Sequence, residues 1–174
     1  MTYDAARMRY IDGTTSSIRS DREMDVTGKI IPDVVNEQTL HKLAPTASVR
    51  EAAKIMGGNK VSAILVSEGD RLVGIFTERD LTARVVAMGL DPDRTAVSQV
   101  MTPRPDVLAP DDSPLNALEL MRLRHYRHLP VVDEGRVVGM VSIRDLYAVV
   151  KKQLEHEVRE REAFIFDTGY GVGA

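Results

Sequence analysis

Two stretches decide the fold: Gly74-Ile75-Phe76-Thr77-Glu78-Arg79-Asp80-Leu81 and Gly139-Met140-Val141-Ser142-Ile143-Arg144-Asp145-Leu146. Each sets Gly and two apolar residues ahead of a Thr or Ser, and each closes on Arg-Asp-Leu. At the same offset Leu43-Ala44-Pro45-Thr46-Ala47-Ser48 matches Leu108-Ala109-Pro110-Asp111-Asp112-Ser113. Met56, Val66, Arg71 and Val73 likewise fall on Met121, Val131, Arg136 and Val138. The register needs no gap and gives about fifteen identities over roughly forty positions, so the chain carries an internal duplication.

Each copy predicts strand, helix, strand, strand, helix. In the second, Asp106-Val107-Leu108 reads as a short strand, and Ser113 as an N-cap with Pro114 in the first turn, where its missing N–H costs nothing. Leu115, Leu118, Leu120 and Met121 form that helix's apolar face. Leu129-Pro130-Val131-Val132 and Val137-Val138-Gly139-Met140-Val141 are β-rich runs around the turn Asp133-Glu134-Gly135-Arg136. The first copy repeats the plan with Ile64-Leu65-Val66, the turn Glu68-Gly69-Asp70, and Leu72-Val73-Gly74-Ile75-Phe76. The expected class is α+β, two pseudo-symmetric halves packed through their sheets.

The organisation follows. Residues 1–25 are polar and without period, and read as a mobile arm. Repeat one occupies 26–90 and repeat two 106–151. Between them, residues 91–105 form a linker in which Pro92, Pro103 and Pro105 forbid a continuous helix. Leu146, Val149, Val150, Leu154 and Val158 mark one face of a long helix that runs into a 152–174 extension with the patch Phe164-Ile165-Phe166 and a Gly-rich end.

Composition narrows the function. With 174 residues, 43% of them hydrophobic, the chain buries one ordinary core or two small ones sharing an interface. It has no cysteine, which excludes disulfides and Cys-based zinc sites. The net charge of -3 provides no broad basic surface for DNA or RNA, so any phosphate binding is local. The absence of Trp argues against a base-stacking platform. No stretch reads as a signal peptide or membrane span, and the expectation is a soluble cytoplasmic protein.

The duplicated ending Gly-hydrophobic-hydrophobic-(Ser/Thr)-x-x-Asp, with His128-Leu129-Pro130-Val131-Val132-Asp133 in the second copy, resembles the tandem CBS (cystathionine-β-synthase) domain pair, or Bateman module, over roughly residues 26–151. The resemblance is to the stand-alone type. It implies a non-catalytic regulatory module that binds an adenine nucleotide between its repeats as an energy or metabolite sensor. AMP is the foremost expectation, with ATP, ADP, NAD or S-adenosylmethionine as other members of the class. It also implies a disc-like homodimer and a regulated partner protein, with no catalytic cofactor.

The signature residues have a physical rationale for that role. Thr77 and Ser142, at helix starts, place hydroxyls beside free N–H groups at the positive end of a helix dipole, which favours phosphate. Asp80 and Asp145, still in the first turn, accept hydrogen bonds from ribose hydroxyls. The same pairs also read as purely structural capping boxes, and one residue can serve both roles.

By position, the resemblance lines a stronger cleft with Ala47, Ala52, Val61 and Ser62 from repeat one and Arg127, His128, Ser142, Arg144 and Asp145 from repeat two. A weaker cleft takes Ala63, Thr77, Arg79 and Asp80 with Asp112, Ala117 and Tyr126, and shares Ser62 and Arg127. The inequality is expected because Asp111-Asp112 replace Thr46-Ala47 and Ser62-Ala63 replace Arg127-His128, adding carboxylates and removing phosphate donors.

Other patterns read as ordinary surface. His125 and His128 lack a third ligand for a metal, and Arg122, Arg124 and Arg127 read as a solvated helix end. His156-Glu157-Val158-Arg159-Glu160 ends in Glu where a zinc-protease helix needs His, and Gly169-Tyr170-Gly171-Val172-Gly173 has no helix after it to bind a dinucleotide. No P-loop or nucleophile elbow occurs. The competing reading is a structural or interaction homodimer with vestigial clefts, joined through the long helix and the Phe164 patch.

Overall fold

The computed structural model describes residues 28–168, except the side chains of Glu157 and residues 161–168. The expected arm at 1–25, the side chains of the Phe164-Ile165-Phe166 patch and the Gly-rich end therefore lie outside the described residues. In order, the elements are β1 (Lys42–Leu43), α1 (Val49–Asn59), β2 (Ala63–Glu68), β3 (Arg71–Thr77), α2 (Glu78–Asp80), α3 (Val97–Val100), β4 (Thr102–Pro103), α4 (Pro114–Arg124), β5 (His128–Asp133), β6 (Arg136–Ser142) and α5 (Ile143–Thr168). An irregular turn at Ile30–Val34 precedes β1. The expected α+β class holds, with β3 of one half against β6 of the other.

The duplication is visible down to irregularities. Both antiparallel hairpins, β2–β3 and β5–β6, carry a register shift, between Val66 and Ser67 and between Val131 and Val132. Lys60 and His125 end α1 and α4 in the left-handed region, at φ 55° and 58°. Neither is the glycine that normally relieves this conformation. Ser48 caps α1 by accepting from the Glu51 N–H, whereas the predicted cap Ser113 makes no such bond and Pro114 alone defines the start of α4.

Each half has its own core, built from equivalent positions. Val49, Ala52, Met56, Ile64, Val66, Phe76 and Val85 fill the first; Ala117, Met121, Leu129, Val131, Val141 and Leu146 fill the second. At about 1.5–3 kcal/mol for each large apolar side chain fully removed from water, this burial is the main force holding each half.

The segment ahead of each repeat crosses over. Ile30 and Val35, in the stretch the sequence assigns to repeat one, are buried in the second core; Val97 and Val100 are buried in the first. The docking is equivalent on both sides. Val97 and Ser98 donate to the carbonyls of Ala47 and Pro45, while Ile30 and Ile31 donate to those of Asp112 and Pro110. Because Pro45 matches Pro110 and Ala47 matches Asp112, each half receives the same kind of strap from the other.

Three local features add to or correct the sequence reading. The linker is structured: α3 and β4 lie within or beside it, and β4 pairs antiparallel with β3 to complete a four-stranded sheet in the order β1-β2-β3-β4. Asp106-Val107-Leu108 is not a strand; only Leu108 bridges to Val131, because the chain meets the sheet at one residue between Pro105 and Pro110. After Asp80 the helix widens into π-type turns at Leu81–Val86.

In the second half a side chain replaces the missing edge strand. Gln38 accepts from the Met140 N–H at 2.8 Å and donates to its carbonyl at 3.0 Å, satisfying both groups of that β6 residue. The motif glycines are fixed by the same straps. A methyl at Gly74 would run into the Met101 sulfur, and one at Gly139 would sit 3.0 Å from a Val35 methyl.

On α5, Leu146 and Val150 are buried and Val149 and Leu154 half-buried, as the periodicity predicts, but Val158 is 54% exposed. The helix has by then passed the described part of the second half, so none of the described residues covers that turn of its apolar face.

Candidate ligand-binding cleft

Both signature pairs form complete reciprocal caps. Thr77 donates to Asp80 Oδ2 from its N–H at 3.0 Å and its hydroxyl at 2.7 Å, while the Asp80 N–H points back to Thr77 Oγ1 at 3.3 Å. Ser142 and Asp145 repeat the set at 3.1, 2.6 and 3.3 Å. The structural and ligand readings thus use different atoms. The cap consumes Oδ2 and leaves Oδ1 as the acceptor that can face a ligand.

The pairs differ at that oxygen. Asp80 is 7% exposed, and its Oδ1 lies 3.2 Å from Arg84 Nη1. Asp145 is exposed, and its Oδ1 has no partner among the described residues. The neighbouring arginines differ too. Arg79 donates to the carbonyl of His125 at 3.1 Å across the halves, whereas Arg144 and Arg127 have no partner among the described residues.

The two carboxylates open onto one cleft of about 800 Å³. Its walls are the starts of β2 and β5, the ends of β3 and β6, the first turns of α2 and α5, and the C-terminal caps Lys60 and His125. Two backbone bonds of the same kind hold its floor: Glu78 N–H to the Ser62 carbonyl at 3.1 Å and Ile143 N–H to the Arg127 carbonyl at 2.9 Å. The halves meet across the cleft where Ser62 Oγ lies 3.1 Å from His128 Nε2.

Of the residues expected in the stronger cleft, Val61, Ser62, Arg127, His128, Ser142, Arg144 and Asp145 line this space; of those in the weaker one, Ala63, Thr77, Arg79, Asp80 and Tyr126 do. Four positions are not brought into it. Ala52 and Ala117 lie in the two cores, each one turn before the buried Met56 or Met121. Ala47 and Asp112 sit where the exchanged straps dock, and the Asp112 carboxylate accepts from the Ala109 N–H at 2.8 Å. Sequence reasoning missed Lys60, Arg84 and Arg124 among the lining residues. Comparing the repeats at Arg84, which matches Val149, would have flagged the first asymmetry.

Charge is concentrated here against the balance of the whole chain. Lys60, Arg79, Arg84, Arg124, Arg127 and Arg144 line the cleft against the carboxylates of Glu78, Asp80 and Asp145. Such an excess, in a cleft with partly buried walls, draws anions. Burial lowers the pKa of His128 below the ordinary imidazole range; the carboxylates of Asp145 and Glu78 oppose the shift, and Arg127 and Arg144 add to it. Burial raises the Tyr126 phenol, with the nearby Asp106 carboxylate adding to the effect. Among the described residues, no group of three or more His, Asp or Glu is placed to hold a metal ion. No helix among them is long and apolar enough to cross a membrane.

A duplicated α+β unit, with two capped carboxylates facing one cationic cleft between the copies, defines a tandem-repeat module. The CBS domain family model matches twice, at residues 30–87 and 97–152, and the chain belongs to that family. It is similar to the meiotically up-regulated gene 70 protein of Schizosaccharomyces pombe, 40% identical over 111 residues that make up 63% of this chain and 15% of that protein. The chain therefore spans a small part of that relative. Among solved structures it is similar to the CBS-domain containing protein ATU1752 from Agrobacterium tumefaciens, with TM-score 0.64, 29% identity, and coverage of 68% of this chain and 96% of that one. It is also similar to the CBS domain protein PAE2072 from Pyrobaculum aerophilum complexed with AMP, with TM-score 0.61, 30% identity, and coverage of 68% and 94%.

Proposed function

We propose that the chain is a regulatory module that binds an adenine nucleotide, AMP foremost, in the Asp145 half of its cleft, without catalysing a reaction on it. The observation that carries the reading is the set of unengaged groups there: Asp145 Oδ1, Arg127 and Arg144 have no partner among the described residues. A free carboxylate oxygen suits the ribose diol. Two guanidiniums beside a helix N-terminus suit a phosphate. The AMP complex of the similar Pyrobaculum aerophilum protein supports the choice of adenine nucleotide.

In this reading Val61 and Ser62 meet the base, His128 adds a donor near the phosphate, and the ligand bridges the two repeats. Occupancy then shifts the packing of the halves, or of two chains in a homodimer, by the ligand's differential affinity for the two arrangements, and a cytoplasmic partner protein reads that state. Thermal-shift measurement against AMP, ADP, ATP, NAD and S-adenosylmethionine tests the proposal. Saturating AMP at a hundred times Kd stabilises by about 2.7 kcal/mol, a readily measured rise in Tm. No rise with any of the five would overturn it in favour of a structural module.

A further inference from the structure

Arg84 is placed as no other cation in the cleft. Its Nη1 lies 3.2 Å from Asp80 Oδ1, and it also donates to the carbonyls of Val100 at 2.9 Å and Met101 at 2.7 Å, and to Thr102 Oγ1 at 3.3 Å. Those acceptors lie where the chain leaves α3 and enters β4, and the pairing of Pro103 with Gly74 fixes them to the edge of β3. The guanidinium is therefore held from the linker side, independently of Asp80. At the equivalent position the second half has Val149, and Asp145 is left open.

We infer that Arg84 is a built-in occupant of the Asp80 ribose position, so that the cleft takes one nucleotide per chain, at Asp145. The inference rests on the nucleotide reading above. A ribose diol recognises a carboxylate by donating to it. At Asp80 one oxygen is already hydrogen-bonded in the Thr77 cap, and the other is ion-paired with Arg84 at 3.2 Å, where the guanidinium stands in the way of a ribose. A second nucleotide would have to displace a guanidinium that stays anchored to two carbonyls, and would gain no free acceptor by approaching it. Arg79 is also partly engaged there, one of its amino groups donating to the His125 carbonyl at 3.1 Å.

Isothermal titration with AMP tests this. The wild-type chain is expected to take up one AMP per chain, and Asp145→Asn to lose it. Arg84→Val, which copies the second repeat, is expected to take up two, the additional one being lost again in Arg84→Val combined with Asp80→Asn. Arg84→Gln retains an amide donor for the Val100 and Met101 carbonyls while removing the charge, and gives the same doubling should the valine variant fold poorly. A wild-type stoichiometry of two, or folded Arg84→Val and Arg84→Gln proteins that still bind one, would overturn the inference and leave the nucleotide reading intact. A wild-type chain that takes up no AMP overturns that reading, and the inference with it.

Discussion

Replacing each signature aspartate by alanine should separate stability from binding, in opposite orders. Both Asp80→Ala and Asp145→Ala remove a capping box, a loss of about 1 kcal/mol. Asp80 is also 7% exposed and ion-paired through its second oxygen with Arg84 at 3.2 Å, so its removal strips Arg84 of a largely buried charge partner, a further loss of about 1–2 kcal/mol. Arg84 keeps its carbonyl partners, which places the net cost of Asp80→Ala at about 2–3 kcal/mol. In a chain of this size 1 kcal/mol moves Tm by roughly 2–4 °C, so Asp80→Ala should lower it by about 5–10 °C and Asp145→Ala by about 2–4 °C. For AMP the order reverses. Asp145 offers the unengaged oxygen, and losing a charge-assisted bond to the ligand weakens binding about 10- to 150-fold; Asp80→Ala should weaken it far less. Differential scanning calorimetry and titration calorimetry on the two variants measure both orders. Equal Tm losses, or an AMP affinity lost as heavily in Asp80→Ala as in Asp145→Ala, would refute the assignment of Oδ1 as the atom that distinguishes the halves.

The remaining predictions concern packing, backbone and pH. Gly74→Ala should destabilise by about 1–3 kcal/mol because the added methyl meets the Met101 sulfur, with Gly139→Ala milder since the Val35 methyl has only a few tenths of an ångström to yield; urea midpoints check the order. Lys60→Gly should raise stability by about 0.5–1 kcal/mol by relieving a left-handed φ of 55°, and a lowered Tm would count against strain at that cap. Burial holds the folded-state pKa of His128 below its unfolded value, so the unfolded chain takes up that proton first on acidification. The stability due to neutral His128 is complete above about pH 6.5 and is lost as pH falls below it. The Tm difference between wild type and His128→Asn should accordingly shrink from pH 7.5 to pH 5, and a difference that widens would contradict the lowered pKa of this part-buried ring.

The sequence by itself determined the duplication, the α+β class, both hairpins with their turns, and the two Ser/Thr-x-x-Asp caps, because each depends on neighbours within a few residues. Turn chemistry, alternation and capping are local, and an ungapped repeat reports them twice. It led to an expectation of unequal halves from Asp111-Asp112 and Arg127-His128, without weighing the Arg84 position at which the structure shows the two aspartates to differ. Only the tertiary structure decided which segment completes which core. Ile30–Val35 and Val97–Val100 are short apolar runs whose partners lie far along the chain, and their sequence contains nothing that selects one half over the other. The same holds at the cleft. That Ala52 and Ala117 belong to cores, that Gln38 closes the edge of β6, and that Arg84 reaches both Asp80 and the linker carbonyls follow from how the straps pack. Asp80 and Asp145 are identical in the repeat; their surroundings, brought together from distant parts of the chain, leave one oxygen bound and the other open.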